Sequence, residues 1–323
     1  MYYILKYNST MTEDNNIDYD NEINFQELFR ILLQSKWLIV SVTSFVSIVG
    51  VIYSLQLPNI YESKVVLAPV NSSSSISGNL QRFSGLAGFA GINLTPRYDE
   101  SNSSKAIKKI STLSFFENNI LKNINLPELM AVQSWDSFNN VLIFDESIYE
   151  VSSDTWVREV SYPKQQIPSA QESFKVFKFR HLTLIEDELT GFVTLSIKHQ
   201  SPFIAKQWAT LIVDEINSFY RQKDKLESQK AVSYLNEQIV MTGLSEIKQV
   251  LAQLLQEEIQ KLTLIEANKF YVFDYIDPPA VMEQKVEPVR SLICILFALV
   301  GFIVSILIVL IRHRIANNRS HDL

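Results

Sequence analysis

Apolar residues are distributed unevenly along this 323-residue chain, and their spacing divides it into elements. From Trp37 to Tyr61 no charged residue occurs, and the stretch begins "WLIVSVTSFVSIVGVIYSLQL". A second charge-free block, "SLICILFALVGFIVSILIVLI", fills the positions between Arg290 and Arg312. At about 1.5 Å of rise per residue, some 20 apolar residues match a bilayer core of about 30 Å. Two membrane helices are therefore expected, over 37–57 and 291–311. A cleaved leader fits the first block poorly. The 36 residues before it hold six acidic and three basic side chains, and no small-x-small cleavage pattern follows.

Between the blocks the period changes repeatedly. "YESKVVLAP" from Tyr61 reads as a strand ending at a proline. The Ser/Gly-rich "NSSSSISGNLQRFSGLAGFAG" reads as irregular, and a helix is expected over "SSKAIKKISTLSFFENNIL". The section 125–170 is hard to read. "SFKVFKFRHLTLIEDELTGFVTLSIKHQSP" shows two alternating runs around a polar turn, which predicts a β-hairpin. Its acidic triplet Glu186–Glu188 reads as a solvated turn.

Ser201-Pro202 then opens a helix, as an N-cap and first-turn proline do. Ile204, Trp208, Leu211, Ile212 and Phe219 recur at helical spacing, and the pattern continues through Ile239 to a break at Gly243. A second helix carries Leu244, Ile247, Leu251, Leu254, Leu255, Ile259, Leu262 and Ile265. Together they predict a long helical hairpin over 201–267, with more apolar surface than two helices need for each other. Leu251 and Leu255 are the residues expected to meet neighbouring copies. "KFYVFDYIDPP" reads as a returning strand within 268–290, and Pro278, Pro279 and Pro288 stiffen the lead into the second membrane block.

Charge fixes the expected topology. Arg312, Arg314 and Arg319 crowd the tail, and Arg30 and Lys36 flank the first block. The positive-inside rule then puts both termini, 1–36 and 312–323, in the cytoplasm. Residues 58–290 hold 23 basic and 28 acidic side chains, net −5, which argues against a nucleic-acid surface. The resulting expectation is an α+β protein. Two transmembrane helices flank an extra-cytoplasmic α/β base domain, 58–200, from which the hairpin projects.

Candidate chemistry is sparse. The only cysteine, Cys294, lies inside the second apolar block, so no intrachain disulfide forms. No G-x-x-x-x-G-K-[ST] phosphate loop occurs. The four histidines lack ligand spacing, and His181 and His199 read as an exposed pair on neighbouring strands. No cofactor, metal or catalytic residue is expected. Gly85, Gly88 and Gly91, three apart, read either as a flexible loop or as a packing surface. Such small residues admit close approach of a helix, a neighbouring subunit or the bilayer interface.

These parts resemble the Wzz-type polysaccharide co-polymerases, the chain-length determinants of bacterial surface polysaccharides. The resemblance runs from "DNEINFQELFRILLQSKWLIV" to "RHR", through "SGLAGFAGI", "VSYLNEQI" and "IDPPAVMEQKVEPVRSLI". One departure concerns the lead into the second helix, commonly more basic in the family; here Glu287 and Val289 flank Pro288. The resemblance implies a multi-pass protein of the bacterial inner membrane with its main domain in the periplasm. It also implies a non-catalytic, homo-oligomeric ring beside a Wzy-type polymerase. There it would set the chain length of lipid-linked O-antigen lipopolysaccharide or a similar polymer. An alternative is an adaptor that activates a separate cytoplasmic tyrosine kinase in capsule or exopolysaccharide export, with "RHRIANNRSHDL" as its dock.

Overall fold

A computed structural model describes residues 25–70 and 102–321. The chain divides into two compact units, one of residues 1–56 and 290–323, the other Leu57–Val289.

In the first unit, helix α1 (Phe25–Gln34) is followed by α2 (Lys36–Gln56), and the chain returns as α9 (Arg290–His321). Lys36–Gln56 and Arg290–Ile315 are long and apolar enough to cross a membrane. The two helices pack closely where a side chain is missing. A Cβ on Gly50 would come within 2.5 Å of the Phe297 side chain, and one on Gly301 within 2.9 Å of Val46 Cβ. Ser54, Ser305 and Val309 are buried in the same unit. Without a hydrophobic drive between helices in lipid, such close backbone approach is what holds a helix pair together.

The second unit is built on a four-stranded antiparallel sheet in the order β6 (Leu182–Glu186), β7 (Val193–His199), β1 (Tyr61–Pro69), β8 (Phe273–Asp277). Strand β1 (Tyr61–Pro69) pairs with β7 (Val193–His199) from Tyr61–His199 to Leu67–Val193, and with β8 (Phe273–Asp277) on its other side. Alternation sorts β1: Ser63, Val65 and Leu67 face inward while Lys64 is exposed. Helix α7 (Pro202–Met241) crosses this inner face, burying Ala205, Trp208, Ala209, Ile212, Val213 and Ile216 against β1 and β7. Fully burying each large side chain contributes about 1.5–3 kcal/mol, so this half-helix anchors the domain. Pro202 occupies the first turn as expected, but the Ser201 side chain makes no cap bond.

Helix α3 (Asn102–Ile110), the short α4 (Leu113–Phe115) and a π-helical turn Phe116–Ile120 fill the rest of the core with Ala106, Ile110, Phe115, Phe116 and Ile120. The single helix expected there is broken because Thr112 caps a new start, accepting the Phe115 N–H at 3.3 Å. Helix α5 (Leu126–Met130) leads into a hairpin of β2 (Val132–Asp136) and β3 (Val141–Phe144), followed by the short pair β4 (Tyr149–Glu150) and β5 (Thr155–Trp156).

One expectation is overturned here. "SFKVFKFRH" is no strand: α6 (Ala170–Val176) and a π-helical turn Phe177–His181 occupy it, and β6 is only Leu182–Glu186. The Ser169 side chain accepts the Glu172 N–H at 3.3 Å, while Glu172 also takes two bonds from Arg158. The helical register buries Ser173 and Phe177, four apart, and leaves Phe179 exposed. Alternation of Phe and Lys fits both periods, and the "SAQE" cap decides between them.

Candidate functional site

Beyond the core the chain extends as α7's outer half and α8 (Ser245–Ala267), joined by Thr242–Leu244. The link is extended at Thr242 and Leu244, and a Cβ on Gly243 would meet nothing, so that glycine serves no close approach.

The root of this helical pair is gripped by polar side chains on one face of α7. Asn217 is buried, donates Nδ2 to the Phe273 carbonyl at 3.0 Å, and accepts the N–H groups of Val272 (2.7 Å) and Phe273 (3.0 Å). One side chain thus stands in for a strand partner at the start of β8. One turn on, Arg221 Nη2 donates to the carbonyls of Asn268 (2.7 Å) and Lys269 (2.5 Å). Tyr271 then donates its hydroxyl to Asp224 at 2.5 Å. Burial, then the Asp224 carboxylate, push the Tyr271 pKa well above the usual phenol range. Positions 217, 221 and 224 follow helical spacing, and Lys225 adds an ion pair with Glu266. This face was not singled out from the sequence. Its signal was Asn217 standing between the apolar positions Ile216 and Phe219.

Outward from the grip the helices are sparsely covered. Leu251, Leu255 and Leu262 are half-buried and share one helical stripe with Ile265, which is buried. Ile247, Val250 and Leu254 are exposed beside them, as are Leu226, Tyr234, Val240 and Met241. The apolar surplus is therefore real in this chain taken singly. Gly85, Gly88 and Gly91 lie outside the described residues.

The proline lead is tied down rather than free. Ile60 N–H donates to the Glu287 carbonyl and Val286 N–H to the Ile60 carbonyl, each at 2.9 Å. Lys198 Nζ pairs with Glu287 Oε1 at 2.5 Å, and Lys285 donates to Asn59 at 3.0 Å. Ser63 Oγ donates to the Ala280 carbonyl at 2.9 Å. Pro278 is exposed, Pro279 buried and Pro288 half-buried. Glu287, the departure noted beside Pro288, is the acid that pairs with Lys198.

His181 and His199 are not the exposed pair expected. They are 8 % and 1 % exposed, with ring centroids 5.7 Å apart and both rings edge-on to Trp208. His199 Nδ1 accepts the Ser201 N–H at 2.9 Å, so its Nε2–H donates to the Glu128 carbonyl at 3.0 Å. His181 bonds the Lys198 carbonyl through Nδ1 at 2.7 Å. Desolvation lowers both pKa values to about 4, so both rings are neutral at pH 7. They brace β7 and α5 rather than present a ligand set. In the β6–β7 turn, Asp187 Oδ1 takes the Leu189 N–H at 2.9 Å, a self-contained turn of the kind expected for the acidic triplet.

Residues 21–114 match the family model of Wzz, chain length determinant protein. No curated protein matches the chain. Two similar solved structures are a full-length bacterial polysaccharide co-polymerase and a fragment of WzzB, a polysaccharide co-polymerase from Salmonella Typhimurium. The first is 14 % identical over 90 % of this chain and 98 % of its own, with a TM-score of 0.40. The second is 14 % identical over 71 % of this chain and 100 % of its own, with a TM-score of 0.31.

Proposed function

We propose that this chain is a non-catalytic chain-length regulator of a surface polysaccharide, a polysaccharide co-polymerase. The match of residues 21–114 to the chain length determinant model carries the reading. That stretch takes in α1, α2, β1 and α3, the entry into the membrane and the first strand beyond it. Two further features are consistent with it: apolar helices at both ends, and a 40-residue helix rising from the domain between them.

In this reading the protein sits in the bacterial inner membrane with both termini cytoplasmic and the Leu57–Val289 unit periplasmic. Copies form a ring beside a Wzy-type polymerase, and the exposed stripe of α7 and α8 meets neighbouring copies. Leu251 and Leu255 belong to that contact, and Gly85, Gly88 and Gly91, outside the described residues, supply further packing between copies. The growing lipid-linked polymer is O-antigen or a similar glycan, and the assembly influences when extension stops.

A gel of lipopolysaccharide from a deletion strain tests this directly. The expected result is a ladder with altered modal length and undiminished total polymer. An unchanged ladder would overturn the reading, and complete loss of polymer would favour an export role instead.

A further inference from the structure

The two apolar helices fix, within their own unit, where a bilayer would end. A Cβ on Gly50 meets Phe297 and one on Gly301 meets Val46, so α2 and α9 run antiparallel and each step along one answers a step along the other. Carried outward, this register sets Lys36 level with Ile311 and leaves Arg312 and Arg314 just past it. The 21 residues of α2 extend about 32 Å, which already matches a hydrocarbon core of about 30 Å. Helix α1 therefore lies beyond that core, at the end that carries these cations.

Helix α1 is nevertheless largely apolar. From Leu28 to Trp37 the only charged residues are Arg30 and Lys36. It packs on both α2 and α9, and its Ile31 and Leu32 are half-buried. Phe29 and Leu33, four apart on another face, are 64 % and 55 % exposed, and Trp37 at the opening of α2 is 76 % exposed. The helical run is interrupted at Ser35. Its N–H closes α1 on the Ile31 carbonyl at 3.1 Å, and its carbonyl opens α2 by accepting the N–H groups of Leu38 (3.0 Å) and Ile39 (3.1 Å). A break at the boundary frees α1 from the line of α2, where an unbroken helix would drive Phe29 and Leu33 into water. Arg30, Lys36, Arg312 and Arg314 are exposed, and among the described residues none of them pairs with a carboxylate.

We propose that α1 is an interfacial helix: its Phe29–Leu33 face, with Trp37, seats in the headgroup–acyl boundary, and Arg30, Lys36, Arg312 and Arg314 hold the phosphates of anionic lipids. The inference rests on reading α2 and α9 as membrane spans. Two observations choose lipid as the occupant of this face. The exposed apolar positions of α1 continue into those of α2 at Trp37, Val40 and Ile48, which the same reading already gives to lipid. The four unpaired cations gathered at one end of the spans match anionic headgroups in charge, and Phe, Leu and Trp beside basic residues are the composition that binds this boundary. Seated there, α1 acts as a stop against movement of the helix pair along the membrane normal.

The test uses the full chain in vesicles of phosphatidylethanolamine and phosphatidylglycerol, three to one, with Cys294→Ser as background. Leu33→Cys, Gln34→Cys and Ser44→Cys, one at a time and all at exposed positions, carry a bimane fluorophore. Quenching is read with phosphatidylglycerol or phosphatidylcholine spin-labelled at the top of the acyl chain. Leu33 lies on the lipid face of α1, Gln34 about 100° round the helix from it, and Ser44 on α2. The expected result is quenching at Leu33 about threefold above that at Gln34, and stronger from the phosphatidylglycerol probe than from the phosphatidylcholine one. Arg312→Gln with Arg314→Gln should erase that lipid preference and leave the Ser44 signal unchanged. If Ser44 is quenched while Leu33 only matches Gln34, weakly or strongly, the interfacial helix is wrong and the spans stand. If Ser44 is not quenched, the membrane reading itself fails. A lipid preference that survives the double substitution would overturn the assignment of the arginines to the headgroups.

Discussion

Helix α7 contains two regions that obey different rules although one hydrogen-bond ladder runs through both. From Ala205 to Tyr220 seven large or small apolar side chains are buried against the sheet and its neighbours. From Arg221 to Met241 only Ser228 is buried, and Leu226, Tyr234, Val240 and Met241 stand in the open. Helix propensity alone sustains few isolated helices of this length, so the inner half must stabilise the outer one. The junction between them is where the polar grip of Asn217, Arg221 and Asp224 sits. A rigid base and an uncovered arm are thus made from one element by changing what lies beside it.

The sharpest way to break this division is at the junction. Asn217→Leu keeps the volume but leaves the Val272 and Phe273 N–H groups and the Phe273 carbonyl without their partner. Each orphaned buried group costs about 1–3 kcal/mol, so a loss near 3 kcal/mol in denaturant unfolding is expected. Backbone amides of 271–273 should also lose hydrogen-exchange protection before those of β1. Equal protection in both strands would show that the grip is dispensable.

Lowering the pH acts on the base alone. His181 and His199 bind protons less readily folded, near pH 4, than unfolded, near 6.5. Their contribution is present above about pH 6.5 and is lost as pH falls toward 4, at about 2 kcal/mol per ring by pH 4.5. A melting series from pH 7 to 4.5 should fall steeply, and His181→Phe should remove about half of that slope. A flat wild-type series would mean that the rings are solvated.

The smallest effect on folding is expected in the arm. Ile247→Lys with Leu254→Lys touches exposed positions, so monomer stability should change by less than about 0.5 kcal/mol. Cross-linked oligomers should nevertheless shrink or vanish if the stripe joins copies. Oligomers that survive unchanged would confine the contact to the half-buried Leu251 and Leu255 or to the membrane helices.

Legibility in the sequence followed the same division. Elements whose period was long and uninterrupted were readable: the two apolar helices, α7, α8, β1 and β8. The segment 173–181 was misread because Phe-Lys alternation satisfies both periods, whereas the Ser169–Glu172 cap is a four-residue cue. The histidines were misjudged because burial depends on Trp208, which reaches them from another element. Gly50 and Gly301, where an added Cβ would come within 3 Å of a neighbouring side chain, sat unnoticed inside the apolar blocks, since composition there conceals packing. The β2–β3 turn lay in the least readable stretch, yet "WDSFNN" is an Asp-led turn with Asn140 in the left-handed region, φ 53°.

The uninterrupted length of α7 also makes it a lever. Forty residues at 1.5 Å each extend about 60 Å, pivoting where Trp208 and Ile212 meet the sheet. From that pivot to Met241 the helix runs about 45–50 Å, so one degree of tilt at the root moves the tip by about 0.8 Å. A repacking around Trp208 that tilts the helix by about two degrees would therefore be read at the tip as a displacement comparable to a bond length.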